Sequence, residues 1–216
     1  MSIQALAQQL TLQLQQPLPG RSAQYKMAHA IRQKTFPVPD NARKACVVLL
    51  LYPKNGTTHI VLIERMPSKH KDDRHSGQIS FPGGKLEPDD PSLKAGALRE
   101  TEEEVGVPPE QIQILGALSQ LYIPVSNFLV FPFVGYTDEA PHFIRQASEV
   151  KSIIETPLSL LLDPRTLQHT DIPIKEGVLK GVPFFNVFGH TVWGATAMML
   201  SEFLHLVEAV QLPKNS

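Results

Sequence analysis

Cysteine is almost absent from this sequence. The chain has 216 residues and one cysteine, Cys46. A single cysteine cannot form a disulfide within the chain, which excludes the class of small secreted domains held together by disulfides and favours a reducing compartment, the cytoplasm. Because Cys46 stands in the apolar run ACVVLLL, we expect a core side chain. A reactive thiol would need exposure and cationic neighbours.

An excess of charge of one sign and a long apolar run are also missing. The chain has 20 Lys and Arg residues against 21 Asp and Glu residues, for a net charge of −1. The composition therefore gives no reason to expect nucleic acid or a membrane surface as a partner. No apolar run approaches the ~18 residues of a transmembrane helix. A local concentration of negative charge in so balanced a chain needs a local explanation.

The first 42 residues read as an N-terminal helical extension. Ile3, Leu6, Leu10 and Leu14 recur at spacings of three and four residues, which predicts an amphipathic helix. The stretch from residue 21 to residue 42 has no clear periodicity.

The rest of the chain alternates between strand and helix patterns. The apolar runs Ala45–Tyr52 and His59–Arg65 flank the turn signal PKNGTT, which predicts a β-hairpin. Further predicted strands are Ile112–Tyr122, Phe128–Tyr136, Glu149–Glu155 and Leu179–Phe188, the last interrupted by a proline; predicted helices are Pro91–Val105, Pro157–Leu162 and about Trp193 to Val210. This order favours one α+β domain over residues 1–216, an α/β/α sandwich with a mixed sheet that contains antiparallel pairs.

Negative charge is concentrated in the stretch RETEEEVG, residues 99–106. On a helix with about 100° per residue, Glu100, Glu103 and Glu104 share an arc of about 100°, whereas Glu102 points away from it. The side expected to meet the sheet carries Leu98, Thr101 and Val105. The helix thus sorts three acids onto one face and its packing residues onto another.

This clustering of acids is unfavourable unless something binds it. Like charges three or four residues apart cost an exposed helix roughly 0.2–0.5 kcal/mol per pair, and these acids lie at the wrong end of the helix dipole. A hard divalent cation removes both penalties, and Mg²⁺ prefers carboxylate oxygens together with phosphate oxygens of a substrate. Arg99, four residues before Glu103, can orient that carboxylate. The alternative interpretation is a solvated acidic face.

From Gly84 to Val107 the sequence resembles the Nudix box. In that pattern a glycine and a spaced acidic residue precede Arg-Glu-U-x-Glu-Glu-x-Gly-U, where U is apolar. The positions that match are Arg99, Glu100, Glu103, Glu104, Gly106 and Val107. Thr101 takes the first apolar position. The spacing from Gly84 to Arg99 is one residue longer than usual, so the acidic position between them is open to Glu87, Asp89 or Asp90.

The flanking stretches resemble the coenzyme A pyrophosphatase branch of the Nudix family. RMPSKHKDDRHSGQISFPGGK is similar to the branch's arginine, polar loop and Gly-Gln-x-x-Phe-Pro-Gly-Gly, and GHTVWGAT is similar to its Gly-His-x-Val-Trp-Gly-x-Thr helix start. Asp73 stands where branch members often have an arginine, with Arg74 beside it. The similarity covers about residues 43–207.

The resemblance implies a Nudix-like fold and hydrolysis of the diphosphate bond of coenzyme A (CoA) or acyl-CoA. The products would be 3′,5′-ADP and (acyl-)4′-phosphopantetheine, and the cofactor would be Mg²⁺ or Mn²⁺. Glu100, Glu103 and Glu104 would be metal ligands, joined by the carbonyl of Gly84, while Arg99 orients Glu103.

The box leaves the general base and the substrate contacts open. Glu100 or Glu103 can act as the base, and so can Glu149 on a later loop, for which a surface position at a strand start is the alternative. The candidate substrate contacts are Arg65, Gln78, Phe81, Lys69 and Arg74. Arginine suits bidentate phosphate contacts. Core packing is the alternative for Phe81, and simple solvation is the alternative for the loop cations near the 3′-phosphate of CoA.

Two other functions fit the same box. One is a Nudix pyrophosphatase for ADP-ribose, NADH or a dinucleoside polyphosphate. Only the flanking stretches, which resemble the coenzyme A branch, argue against this function. The other is a non-catalytic Nudix-fold binding or regulatory protein, which would usually lack one or more of the three glutamates. The expected partner is a small CoA-like nucleotide, and a homodimer is compatible with the sequence.

Overall fold

The computed structural model describes residues 1–29, 32, 36–67, 77–174 and 177–211. Besides three single-turn 3-10 helices, the chain forms five α-helices and eleven strands within these residues. In chain order they are α1 (Ile3–Leu14), α2 (Arg21–Gln24), β1 (Arg43–Lys54), β2 (Thr57–Arg65), β3 (Ile79–Ser80), β4 (Gly83–Lys85), α3 (Leu93–Val105), β5 (Gln113–Ala117), β6 (Leu121–Ile123), β7 (Phe128–Tyr136), β8 (Val150–Pro157), α4 (Leu158–Leu162), β9 (Leu167–Ile174), β10 (Gly177–Val187), β11 (His190–Val192) and α5 (Gly194–Gln211). None of the helices in these ranges has the length and apolarity needed to cross a membrane.

The predicted hairpin is confirmed, and its turn explains its register. Asn55 and Gly56 have φ angles of 51° and 74°, the left-handed conformation that a two-residue hairpin turn requires of both central residues. Lys54 therefore lies opposite Thr57. The strands β1 and β2 run beyond the apolar stretches on which the prediction rested.

The main sheet is mixed, as predicted. Its eight strands follow the order β3-β2-β1-β7-β5, with β4 paired to β1, β6 to β7 and β8 to β2. The β1–β7 pair is parallel and the others are antiparallel. Strand β4 pairs with the first half of β1, and β3 pairs with the last part of β2. The short link between β3 and β4 therefore lies where β1 and β2 separate.

Alternate residues of β1 face two helical layers. Val48 and Leu50 pack with Ala97 of α3 on one side of the sheet, and Leu49 packs with Phe203 of α5 on the other. All five side chains are fully buried. The α/β/α sandwich expected from the sequence is therefore confirmed, and α3 packs against β1.

Cys46 is a core residue, as expected. It is fully buried beside α3. Burial raises the pKa of its thiol to about 12, with further contributions from the nearby carboxylates of Asp90 and Glu100. At neutral pH the side chain is therefore a neutral thiol, which is unreactive as a nucleophile.

The N-terminal extension packs against the last helix. The buried residues of α1 are Ile3, Leu6, Ala7 and Leu10, within the same core cluster as α5. On α5, the side chain of Glu202 is fully buried. Its carboxylate accepts hydrogen bonds from the backbone N–H of Gly20 at 3.0 Å, from the backbone N–H of Ser119 at 3.3 Å and from the side-chain amide of Gln24 at 2.8 Å. A buried acid on α5 thus fixes the segment that follows α1.

Some predicted strands were wrong in their extent. The predicted strand Ile112–Tyr122 is divided into β5 and β6, because the chain leaves the ladder between them, where Ser119 binds Glu202. Pro183 does not interrupt β10; it lies opposite His169, next to a bulge, where the missing N–H costs at most one ladder hydrogen bond.

A second sheet, β11-β10-β9, was not predicted. Its edge strand β9, LQHTDIPI, is mostly exposed and lacks the alternation of apolar and polar residues that predicts a half-buried strand. The strands β3 and β4 were also missed, since each has only two or three residues.

Candidate active site

Helix α3 begins and ends at residues with specific capping roles. The hydroxyl of Ser92 accepts the N–H of Ala95 at 3.1 Å, so the helix starts at Leu93 and not at Pro91 as predicted. Gly106 ends it with φ 74°. A Cβ at Gly106 would lie 2.7 Å from the side chain of Ile144, so both the conformation and the space favour glycine.

The three glutamates on one face of α3 differ sharply in exposure. The side chain of Glu104 is 1% exposed, that of Glu100 15% and that of Glu103 55%. As predicted, Thr101 and Val105 are buried and Glu102 is exposed. The acidic arc therefore runs from the core of the protein to its surface.

Glu104 is held by two groups from neighbouring strands. Its Oε2 accepts the backbone N–H of Gly83 at 2.8 Å, and its Oε1 accepts Nη1 of Arg65 at 3.3 Å. Burial raises the pKa of Glu104 to about 7 although both donors favour the charged form. The carboxylates of Glu100 and Glu149 raise this pKa further, so negative charge is crowded around Glu104.

Arg99 connects the acids of the helix to the loop before it. Its Nη1 donates to Glu103 at 2.9 Å, the predicted pairing, and to Glu100 at 3.0 Å. Its Nε and Nη2 donate to the two oxygens of Asp90 at 2.9 and 3.0 Å. One guanidinium thus orients three carboxylates through a bidentate contact and a shared donor.

Asp90 is the acid of the loop that pairs with Arg99. Its side chain is 5% exposed, whereas Glu87 and Asp89 are exposed. The Arg99 guanidinium holds the pKa of Asp90 below its usual range. Asp90 also accepts the backbone N–H of Glu87 at 2.8 Å, which fixes the loop. Among the three acids that the sequence left open, the structure therefore selects Asp90.

The glycine pair allows close contact between β4, β1 and α3. Gly83 has φ 148°, and a Cβ there would lie 2.3 Å from the carbonyl oxygen of Cys46. A Cβ at Gly84 would lie 2.4 Å from Oε2 of Glu100. Larger residues would push the strand away from the acids. The sequence pointed to Gly84 but not to the N–H of Gly83 as a partner of Glu104, although the Gly-Gly pair was the available signal.

Glu149 is brought to the site by a loop bound to the end of α3. The N–H of Ile144 donates to the carbonyl of Val105 at 2.9 Å, and that of Gln146 to the carbonyl of Glu104 at 3.1 Å. The carbonyl of Glu149 then accepts the N–H of Met66 at 2.7 Å, just after β2. Glu149 is exposed, and its charge acts on both Glu100 and Glu104. The structure thus brings this candidate base close to the helix.

The candidate substrate contacts do not all lie at the site. Arg65 binds Glu104, and its backbone N–H donates to the carbonyl of Gln78 at 3.0 Å. Phe81, in contrast, is 1% exposed within the core on the α5 side of the sheet. The interpretation of Phe81 as a substrate contact is therefore corrected to its alternative, core packing. Lys69 and Arg74 lie outside the described residues.

The oxygen donors suit a hard cation, although they are not arranged around one. In the ranges that the structure describes, no group of three or more His, Cys, Asp or Glu side chains is placed to hold a metal ion. Glu103 turns to Arg99, but it is the exposed member of the arc and has room to rotate. Burial and the charges of Glu103 and Glu149 raise the pKa of Glu100. Crowded, partly buried carboxylates of this kind fit Mg²⁺ or Mn²⁺.

Comparison with known proteins identifies the same family that the sequence resembles. Residues 42–169 match the family model described as the NUDIX domain. Two relatives named "Uncharacterized Nudix hydrolase NudL" are 34% identical: one from Photorhabdus laumondii over 78% of this chain and 87% of its own length, and one from Citrobacter koseri over 74% and 81%.

Solved structures support the fold at lower sequence identity. A Nudix hydrolase from M. smegmatis, RenU, is similar with a TM-score of 0.54 and 15% identity, covering 81% of this chain and 91% of the other. A MutT/nudix family protein from Enterococcus faecalis gives a TM-score of 0.52 and 15% identity, with coverage of 87% and 73%. The Nudix box, the sandwich that presents it and these matches together show that the chain belongs to the NUDIX domain family and is a hydrolase of diphosphate bonds.

Proposed function

We propose that this hydrolase cleaves the diphosphate bond of CoA or an acyl-CoA in the presence of Mg²⁺ or Mn²⁺, releasing 3′,5′-ADP and (acyl-)4′-phosphopantetheine. The observation that carries the proposal is the clamp on Glu104. Its two donors, Arg65 and Gly83, both belong to the stretch RMPSKHKDDRHSGQISFPGGK, in which the chain resembles the CoA branch. The branch-like stretch is thus in direct contact with the acids of the box.

The residues that would hold the metal are Glu100, Glu103 and Glu104, with the carbonyl of Gly84. When bound, the metal would neutralise the diphosphate and lower the pKa of an attacking water. The exposed Glu103 is the ligand that would have to turn, and Arg99 keeps it within reach through a contact of 2.9 Å. Glu100 needs no such movement to approach Gly84, because it already lies against that glycine.

Two side chains are proposed to act on the substrate and the water. Arg65 carries five N–H donors, and within the described part of the chain Nη1 binds Glu104; a guanidinium can bind an oxygen of the diphosphate through further donors. Glu149 is exposed and lies near Glu100 and Glu104. An accessible carboxylate in that position can accept a proton from the water, and Glu100 or Glu103 is the alternative base.

CoA specificity would come from the flanking polar loop. Lys69 and Arg74 are the proposed contacts to the 3′-phosphate, which ADP-ribose and NADH lack. The single cysteine leaves the chain without an internal disulfide, which supports the proposal that the protein works in a reducing compartment, the cytoplasm.

Product analysis tests this proposal. The full chain is incubated with CoA, ADP-ribose or NADH in Mg²⁺ or Mn²⁺, and the products are separated by chromatography. The expected result is fastest cleavage of CoA to 3′,5′-ADP and 4′-phosphopantetheine, and no cleavage in excess EDTA. Faster cleavage of ADP-ribose or NADH would refute the CoA assignment, and full activity in EDTA would refute the metal dependence.

A further inference from the structure

A buried hydrogen bond joins the two stretches on which the CoA resemblance rests. Thr196, in the first turn of α5, donates its hydroxyl to the backbone carbonyl of Ile79 at 2.9 Å. Thr196 is buried, and the two residues are 117 positions apart. Thr196 belongs to GHTVWGAT, and Ile79 belongs to GQISFPGG. The Nudix box itself contains neither residue.

Strand β3 has little sheet pairing of its own. It consists of Ile79 and Ser80, which pair with Glu64 and Ile63 of β2. Two residue pairs provide few ladder hydrogen bonds, and slippage along a neighbouring strand is limited only by such bonds and by side-chain burial. The hydroxyl of Thr196 therefore adds a contact from outside the sheet to a carbonyl of its shortest strand.

Both groups that clamp Glu104 are connected to β3. At the start of the strand, the carbonyl of Gln78 accepts the backbone N–H of Arg65 at 3.0 Å, and Arg65 binds Glu104. At the end of the strand, only two residues separate Ser80 from Gly83, whose N–H binds Glu104 at 2.8 Å. Gly83 is also paired with Val47 of β1, so a shift of β3 would act on Arg65 through the bond to Gln78 and on Gly83 through the two intervening residues.

We propose that Thr196 is a positioning residue of the active site, which fixes β3 and thereby the places of Arg65 and Gly83 around Glu104. The inference rests on the proposed function, because the task of Glu104 there is to hold the metal. Thr196 contacts neither metal nor substrate. Loss of its hydroxyl should therefore reduce turnover and metal affinity while leaving the binding of the nucleotide's outer parts intact.

The test compares two hydroxyls on the same helix. Thr196→Val removes the hydrogen bond to Ile79. The control, Ser201→Ala, removes a similar hydrogen bond from the Ser201 hydroxyl to the carbonyl of Ala23 at 2.8 Å, which lies on the side of α5 that holds the N-terminal segment. Thr196→Ser restores the donor. For each full-length variant the measurements are kcat and KM with CoA, Mn²⁺ affinity by calorimetry without substrate, and the melting temperature.

For Thr196→Val, kcat is expected to fall by up to about tenfold, the factor that corresponds to the full contribution of one buried hydrogen bond, with little change in KM and with weaker Mn²⁺ binding. Thr196→Ser should recover most of both losses. Ser201→Ala should lower the melting temperature while keeping wild-type kcat and Mn²⁺ affinity. Wild-type kcat and Mn²⁺ affinity in Thr196→Val, or equal losses in Thr196→Val and Thr196→Ser, would overturn the proposal.

Two further outcomes are separable. Should Thr196→Val fail to fold, Thr196→Cys replaces it; its thiol is a weak donor, so it should bind Mn²⁺ more weakly than Thr196→Ser, and equal binding would count against the inference. Should the wild type leave CoA intact, the proposed substrate is wrong, and the Mn²⁺ affinities of the variants still decide the role of Thr196.

Discussion

The backbone N–H of Gly83 donates to the carboxylate of Glu104 at 2.8 Å, across the boundary between β4 and α3. This bond places a charged group where solvent hardly reaches it. A buried carboxylate is costly unless it is paired, and Gly83 and Arg65 offset this only in part, since the pKa of Glu104 is still raised to about 7. The charged form of Glu104 is therefore unfavourable in the folded state, which makes the stability of the protein depend on pH.

The first prediction concerns the pH dependence of stability in the metal-free protein. The pKa of Glu104 is raised from 4.5 to about 7 in the folded state. Above pH 4.5 the folded state holds this proton more tightly than the unfolded state, so the free energy of unfolding should decrease as pH rises from about 4.5 to about 7. The loss should be on the order of 3 kcal/mol. Urea unfolding at pH 5 and pH 8 in EDTA measures it.

Glu104→Gln is the control for this pH effect. The variant has no carboxylate at this position, so its stability should decrease less between pH 5 and pH 8 than that of the wild type. Mn²⁺ should stabilise the wild type more at pH 8 than at pH 5, because a cation favours the charged carboxylates. An identical pH dependence in the wild type and in Glu104→Gln would show that Glu104 titrates normally.

The second prediction distinguishes two neighbouring glutamates of α3. Glu103→Gln should reduce kcat by roughly 10²–10⁴-fold if Glu103 is a metal ligand or the base. Its exposed side chain packs little, so the melting temperature should hardly change. Glu102→Gln is the matched control, because Glu102 is exposed but points off the acidic face. Steady-state kinetics on both variants decides the matter, and equal activities would remove Glu103 from the mechanism.

The fold could be predicted where local chemistry is strong. The apolar spacing of α1 and the Asn-Gly turn of the first hairpin each determine an element without reference to the rest of the chain. The strands β3 and β4 have no such local signal, since their two or three residues are held by β2 and β1. The exposed edge strand β9 is likewise formed by pairing to β10 and not by its own pattern.

The sequence also predicted only part of the candidate site: the grouping of the acids on α3, but not their burial. Helix geometry alone places Glu100, Glu103 and Glu104 together. It does not tell which of them is buried, because that depends on how closely β4 approaches at Gly83. Nor could the sequence select Asp90 as the partner of Arg99, since the selection depends on the path of the loop between β4 and α3.

The third prediction concerns the buried acid on α5. Glu202 accepts three hydrogen bonds from the segment after α1 and from the loop between β5 and β6. Glu202→Ala takes this acceptor away from the partly buried N–H groups of Gly20 and Ser119 and from one hydrogen of the Gln24 amide, whose nitrogen still donates to the carbonyl of Ser119 at 3.1 Å. A buried group left unpaired costs about 1–3 kcal/mol, and the partly buried groups can bond to water instead. The variant should therefore lose about 1–3 kcal/mol of unfolding free energy, measured in urea, while folded protein at low temperature keeps its kcat.

Glu208→Ala is the control for Glu202, since Glu208 is exposed on the same helix and its loss should change stability by less than about 0.5 kcal/mol. The stability of Glu202→Gln should lie between that of Glu202→Ala and that of Glu208→Ala, because its amide oxygen can still accept the N–H groups of Gly20 and Ser119. A Glu202→Ala variant as stable as Glu208→Ala would mean that water replaces the carboxylate and that the segment is not fixed by it.

The last prediction tests the substrate and not the chemistry. CoA and dephospho-CoA differ only in the 3′-phosphate, and the proposed readers of that phosphate are Lys69 and Arg74. A charge-assisted contact contributes about 1.5–3 kcal/mol, which corresponds to roughly ten- to a hundredfold in kcat/KM. Dephospho-CoA should therefore be cleaved less efficiently than CoA by about that factor in the wild type. Alanine at Lys69 or Arg74 should narrow the difference by lowering kcat/KM for CoA alone.

Lys180→Ala is the matched control, because Lys180 is exposed and paired with Asp171 on β9, in the second sheet. This variant should leave the ratio of kcat/KM for CoA to kcat/KM for dephospho-CoA unchanged. Equal cleavage of CoA and dephospho-CoA by the wild type would mean that the loop cations are only solvated. The diphosphate chemistry of the acids on α3 would survive that result, because a 3′-phosphate is not needed to bring a diphosphate, a cation and Glu103 together. The two halves of the proposal, which bond is cleaved and which nucleotide carries it, can thus fail independently.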